Sequence, residues 1–193
     1  MKLFLVRHGQ TQANLEMYYS GQSDVPLTDV GREQAKSIRP ILEKIPFDRV
    51  YSSDLSRAID TQMLALPGYT GQRLALIREI SVGSLSGKSI PETRKALGEE
   101  GKRLPLIGYA QFGGESTEEL YDRARRFLKL LEDDPCENVA AFAHGGFLSA
   151  VLRVVLESDF NRLAAASKNC AIHVFEFDGT RWVLRAWNYM SEV

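Results

Sequence analysis

The sequence is poor in the residue types that announce metal centres and disulfide scaffolds. It has two cysteines and three histidines in 193 residues. Cys136 and Cys170 share no metal-ligand spacing, so both read as free thiols rather than as a cross-linked framework. An excess of one charge is missing too. The 24 basic and 25 acidic side chains leave a formal net charge of −1. Such a chain has no global field to attract nucleic acid, and any anion-binding patch must be local. Long hydrophobic runs are absent. Only Leu3-Phe4-Leu5-Val6 separates Lys2 from Arg7, too little for a secretory h-region. The stretch from Val139 to Leu156 is broken by His144, Gly145, Gly146 and Arg153, and reads as strand, turn and buried helix rather than as a membrane span. A cytoplasmic protein without a membrane partner is the expectation.

What is present fits an ordinary globular chain, 44% hydrophobic and 25% charged, and its length predicts one domain over residues 1–193. There is no repeat, low-complexity tract or long linker. Apolar runs alternate with amphipathic stretches, the pattern of an α/β fold. Leu3–Val6, Phe47–Tyr51, Leu74–Ile77 and Val139–Ala143 read as parallel strands. Asp178-Gly179, between Ala171–Phe177 and Thr180–Trp187, signals an antiparallel hairpin at one side of the sheet.

Thr28 is placed to cap a helix running to about Lys44, broken near Arg39 by Pro40. Ser53 or Asp54 is the expected cap of a second helix, with Arg57 on its first turn. Ser89–Glu92 and Ser116–Glu119 fit capping boxes, the latter opening a helix to about Glu132. Gly146–Glu157 is apolar nearly all round and predicts a buried helix. Residues 85–115 are expected to form a cap-like excursion over the sheet edge, with Gly101 to Gly114 mobile.

Each of the four runs ends beside a group suited to phosphate: Arg7-His8-Gly9, then Ser52-Ser53 with Arg57, Glu79, and His144-Gly145-Gly146. In an open α/β sheet the carboxyl ends of parallel strands face one crevice. A histidine directly after a buried strand is held rigidly, and its ring nitrogen can attack phosphorus to give a phosphoramidate. Arg7 and Arg57 offer forked donors to non-bridging oxygens. His144 adds a donor, and the amides opening the next helix form an anion site. Glu79 is suited to protonate a leaving oxygen and then to deprotonate water. His173, inside the hairpin strand, reads as structural.

Three other readings carry less. Gly83–Ser89 looks like a P-loop but has three residues between its glycines, where the loop needs four. His8, His144 and Glu79 are plausible zinc ligands, yet Arg7 and Arg57 beside them would repel a dication. A silent phospho-ligand-binding module is opposed by the presence of every proposed catalytic group.

The ordered set resembles the histidine phosphatase superfamily, the phosphoglycerate mutase-like proteins. It comprises Arg7-His8-Gly9-Gln10-Thr11 with Asn14, Gly21 with Asp24, Pro26-Leu27-Thr28, Gly31, Gln34-Ala35, and Ser52 through Ala58. It continues with Glu79, Gly83, Gly87, Gly113-Gly114-Glu115-Ser116 and His144-Gly145-Gly146. The resemblance implies a three-layer α/β/α fold and a phosphohistidine formed on His8. It implies that Arg7, Arg57 and His144 hold the phosphoryl group and that Glu79 is the proton donor. Asn14, Gly21, Gln22 and Gly145 would contribute to the substrate pocket.

No metal or organic cofactor is implied, and the partner is a small phosphorylated metabolite. Ser84-Leu85-Ser86 departs from the aromatic and acidic residues that many members carry between the two glycines. The chain is also shorter than the glycolytic mutases, which favours hydrolysis over mutase-type phosphoryl transfer. Tyr18, Tyr19, Tyr109 and Phe112 are open to two readings, pocket mouth or packing. Oligomeric state is open as well, a homodimer included.

Overall fold

The computed structural model describes residues 1–134, 136–157 and 166–189. Alternation along the first strand sets the architecture. In β1 (Lys2–Arg7), Leu3 and Leu5 enter one apolar cluster and Val6 enters another, as period-two side chains require. With β2 (Arg49–Ser52), β3 (Gln72–Arg73), β4 (Asn138–Ala143), β5 (Ile172–Phe177) and β6 (Trp182–Tyr189), it forms a sheet of order β3-β2-β4-β1-β5-β6. Strands β3, β2, β4 and β1 run parallel, while β5 and β6 form the antiparallel side. Central β4 is buried on both faces, with Val139, Ala141 and Ala143 on one and Ala140 and Phe142 on the other.

The helices are α1 (Gln12–Glu16), α2 (Asp29–Ser37), α3 (Arg39–Leu42), α4 (Ser56–Ala65), α5 (Ile90–Leu97), α6 (Glu99–Ile107), α7 (Thr117–Glu132) and α8 (Gly145–Leu156). Ala35, Leu42 and Ala65 from α2, α3 and α4 cover one face of the sheet, and α7 and α8 cover the other. On α7, Leu120, Tyr121, Ala124, Phe127, Leu128 and Leu131 form the buried stripe that a half-buried helix needs. Phe127 lies edge-on to Tyr51 and Phe147, with centroids 6.2 and 5.8 Å away. Three layers result. No helix among the described residues is long and apolar enough to cross a membrane.

Several local expectations are corrected. Leu74–Ile77 is not a strand: β3 ends at Arg73, and Ala75–Ile77 wind into a 3₁₀ turn. A short apolar run has no periodicity that separates the two states, and β3 pairs only with β2. The first long helix divides at Ile38. Pro40 sits in the first turn of α3, where its missing N–H has no partner to lose.

Neither Ser53 nor Asp54 caps α4. The capping position is Leu55, and the Asp24 carboxylate accepts the Ser56 amide at 2.8 Å. Asp54 is engaged with Arg78 through two bonds of 2.6 Å. Within Gly101–Gly114 the chain is helical through Ile107, with Pro105 inside α6. The buried helix is Gly145–Leu156, one residue earlier at each end than expected.

Residues 83–116 leave the sheet and pack on a small cluster of their own: Tyr19, Val82, Leu85, Leu104 and Tyr109, flanked by Ile90, Leu97 and Phe112. Tyr19 and Tyr109 are buried edge-to-face at 5.8 Å, so these aromatics serve packing. Gly83 makes the fold of this segment possible. Its φ is +55°, and a Cβ there would stand 2.0 Å from the Phe112 carbonyl oxygen.

Candidate active site

Register brings the key residues together. Arg7 pairs with Ala143 across β1 and β4, so His8 and His144 leave adjacent parallel strands at the same level. The His8 amide donates to the Ala143 carbonyl at 3.0 Å, and the Ser53 amide donates to Phe142 at 2.9 Å. The two imidazole centroids lie 5.2 Å apart with planes tilted by 56°. Arg57, on the first turn of α4, reaches His144 from the β2 side. Arg7, His8, Arg57 and His144 thus converge on one crevice, as the strand-end argument predicts, while Glu79 joins them from the loop after the 3₁₀ turn rather than from a strand end.

Hydrogen bonding assigns each ring its tautomer. His8 Nδ1 lies 2.7 Å from the Gly9 carbonyl, which can only accept. The proton is therefore on Nδ1, and Nε2 carries a lone pair. His144 is the reverse: its Nδ1 accepts from Arg57 Nε at 3.2 Å, so Nε2 bears the hydrogen. Burial, with the charges of Arg57 and Arg7, holds His8 well below the ordinary imidazole range. His144 is lowered in the same way, by burial first and then by Arg57, His8 and Arg7. Both rings are neutral at neutral pH.

Two buried donors have no hydrogen-bond partner among the described residues: Arg7 Nε and His144 Nε2. An unmet buried donor costs on the order of 1–3 kcal/mol, and both of these belong to the same crevice. They stand ready for an anion, beside the lone pair of His8.

The surrounding residues hold this arrangement. Arg57 is 1% exposed; it donates to the Gly21 carbonyl at 2.7 Å and the Ser23 carbonyl at 2.8 Å. Gly21 therefore anchors a guanidinium. Glu79 accepts from the Ile80 amide at 2.9 Å and the Gly146 amide at 3.1 Å. A Cβ on Gly146 would stand 2.3 Å from Glu79 Oε1, so the second glycine of the His-Gly-Gly turn is needed for the carboxylate to lie there. Gly145 faces Arg7, its notional Cβ 3.5 Å from Arg7 Nε. The charge of Glu79 acts on both Arg7 and Arg57. Gln22 donates to the Glu79 carbonyl at 3.0 Å. Asn14 completes the capping box of α1 with Thr11 and accepts from Asn169 at 3.2 Å.

Some supporting residues escape sequence reasoning. Thr61 Oγ1 accepts the Gly9 amide at 3.0 Å and donates to the Arg57 carbonyl at 2.6 Å, linking the His8 loop to α4. Arg123 donates to the carbonyls of Leu76, Arg78 and Glu79 and forks onto Glu115. The available signal was an arginine three residues after Leu120, at the edge of the apolar stripe of α7. Among the described residues no group of three or more His, Cys, Asp or Glu side chains is placed to hold a metal ion. A concavity of about 860 Å³ between α7, α8 and the β5–β6 turn contains none of these residues.

The family model described as histidine phosphatase superfamily (branch 1) matches residues 3–190. The chain is a member of the histidine phosphatase superfamily. It is 31% identical to phosphoglycerate mutase-like protein 4 of Arabidopsis thaliana, covering 100% of this chain and 86% of that one. It is 32% identical to the metal-independent phosphoserine phosphatase of the same plant, over 100% of this chain and 83% of the relative. Among solved structures, mycobacterial glucosyl-3-phosphoglycerate phosphatase in complex with VO3 superposes with a TM-score of 0.88 at 27% identity, covering 97% and 98% of the two chains. The superfamily therefore joins this chain to phosphatases and to mutase-like proteins that share its mostly parallel three-layer fold.

Proposed function

We propose that the protein is a phosphomonoesterase that hydrolyses small phosphorylated metabolites through a phosphohistidine on His8, without a metal ion. The observation that carries this reading is the meeting of one imidazole lone pair, on His8 Nε2, with two buried unpartnered donors, Arg7 Nε and His144 Nε2. A phosphoryl group satisfies both donors and presents its phosphorus to the lone pair.

In the first step His8 Nε2 attacks phosphorus in line, the P–O bond to the alcohol breaks, and Glu79 delivers the proton carried in by the phosphate monoanion to the departing oxygen. Arg7, Arg57, His144 and the Gly145 amide stabilise charge on the equatorial oxygens, the dominant contribution in preorganised sites. In the second step Glu79 takes a proton from water, which attacks phosphorus; the P–N bond breaks, and phosphate and neutral His8 are released. Phosphate monoesters are among the slowest compounds to hydrolyse unaided, with enzymic accelerations approaching ~10²¹-fold, so fixed positive charge around the nucleophile is required. Transfer to a second hydroxyl, as in a mutase, would share the first step and differ only in the acceptor.

The test is release of p-nitrophenol from p-nitrophenyl phosphate with chelator present. Turnover that survives the chelator and disappears in His8→Ala supports the reading. Robust turnover in His8→Ala, or complete loss on chelation alone, overturns it.

A further inference from the structure

The third histidine has no part in the proposed reaction, yet it is fully buried on β5 and fully engaged in hydrogen bonds. His173 Nδ1 accepts the Asn188 backbone amide at 3.2 Å. Its proton is therefore on Nε2, which meets Ser167 Oγ at 2.8 Å. The main-chain carbonyl of the same Ser167 accepts Nη1 of Arg7. Burial, with the charge of Arg7 adding, pushes the His173 imidazole down to about 3, which keeps it neutral and its tautomer fixed.

The rest of the hairpin edge serves the same short segment. Asn188 has φ +57°, the left-handed region that asparagine enters at lower cost than most residues. It lies where the β5–β6 pairing shifts register, after Ile172↔Tyr189 and before Val174↔Ala186. Irregularities of this kind re-aim side chains, often beside active sites. From there Asn188 Oδ1 accepts the Lys168 amide at 2.9 Å and Nδ2 donates to the Ala166 carbonyl at 2.7 Å. Trp187 Nε1 also reaches the Ala166 carbonyl at 3.3 Å, while its ring covers His173 with centroids 3.9 Å apart. Residues 166–168 are thus gripped on both sides of Ser167. Packing alone would be served by apolar residues, whereas a fully satisfied buried polar network fixes one arrangement.

We propose that His173, Ser167 and Asn188 form a positioning relay for Arg7, holding its guanidinium so that Nε–H is presented to the phosphoryl group. The relay rests on the phosphatase reading above.

Its test is a double-mutant cycle between His173→Phe, which keeps the ring volume, and Arg7→Lys, read as vanadate inhibition and as kcat/KM on p-nitrophenyl phosphate. His173→Phe should weaken vanadate binding about tenfold in the wild-type background, the scale of one hydrogen bond. It should add almost nothing in the Arg7→Lys background. His173→Gln, whose amide can replace the Nε2–H, should recover most of the loss. Ser167→Ala, which removes only the hydroxyl, carries the same prediction should His173→Phe not fold. Equal losses in both backgrounds, or no loss, overturn the relay. The NMR signal of Arg7 Nε–H needs no turnover. Its broadening in His173→Phe supports the relay, and an unchanged signal refutes it, even if the wild-type protein hydrolyses no ester and the phosphatase reading fails.

Discussion

The floor of the crevice and the segment over residues 83–116 are built in opposite ways. His8, Arg57 and His144 are at most 4% exposed, and each is set by strand register or by bonds to main-chain carbonyls. In the excursion, α5 buries no residue at all, and α6 buries only Gly101 and Leu104. The floor is fixed by buried polar bonds, and the excursion by one small apolar cluster together with backbone bonds to Met17, Tyr19 and Ser81. On the proposed phosphatase reading, chemistry is assigned to the first region and discrimination between esters to the second, because sparsely buried elements open at lower cost.

The contrast can be broken most severely at the nucleophile. His8→Ala should lower kcat by about 10⁴-fold or more, as loss of a nucleophile does elsewhere, with melting temperature nearly unchanged; a small kinetic effect would remove the distinction. Arg57→Lys keeps the charge but loses the fork shared by Gly21, Ser23 and His144. A fall of about 10²–10³-fold in kcat is expected, and near-normal turnover would mean that charge alone suffices.

Gly146→Ala forces the Glu79 carboxylate aside. It should slow alkyl phosphates by about tenfold or more while sparing p-nitrophenyl phosphate, whose leaving group needs little protonation. Equal slowing of both would deny Glu79 its role as acid. In the excursion, Leu104→Ala should loosen that segment by about 2–5 kcal/mol. Hydrogen exchange should then quicken in α5 and α6 but not in β1 and β4, with substrate KM changed a few-fold and phosphate inhibition retained. Faster exchange in the strands would show the two regions to be one unit.

Acid supplies a milder test of the floor. The folded-state pKa values of His8, His144 and His173 all lie below the ordinary value. The unfolded chain therefore binds protons that the folded chain refuses once pH drops below about 6.5. Stability is complete above that pH and should decline beneath it, by roughly 1.4 kcal/mol per pH unit for each histidine until its folded pKa is reached. Melting temperatures from pH 7.5 to 5 check this, and a flat profile would contradict the burial of neutral rings.

How much of this was legible in the sequence depends on the range of the interaction. The strand ends were readable because Leu3–Val6 and Val139–Ala143 are apolar runs followed at once by His8 and His144. The capping box at Ser116–Glu119 was legible because its partners are three residues apart. Ala75–Ile77 form a 3₁₀ turn rather than part of the expected Leu74–Ile77 strand because four apolar residues without alternation fit either state. The α4 terminus was misassigned because its acceptor, Asp24, comes from 32 residues away. The relay behind Arg7 was invisible for the same reason: Ser167 lies 160 residues from the guanidinium it receives. Family resemblance supplied roles for Asn14 and Gln22, but only the structure shows them bonded to Asn169 and to the Glu79 backbone.

The central claim is tested most directly by trapping the intermediate. Protein mixed with excess p-nitrophenyl phosphate, quenched within milliseconds at alkaline pH and digested, should yield one peptide bearing an acid-labile phosphoryl group on His8. A phosphoryl group on His144, Ser53 or Glu79, or active turnover without any adduct at His8, would contradict the account.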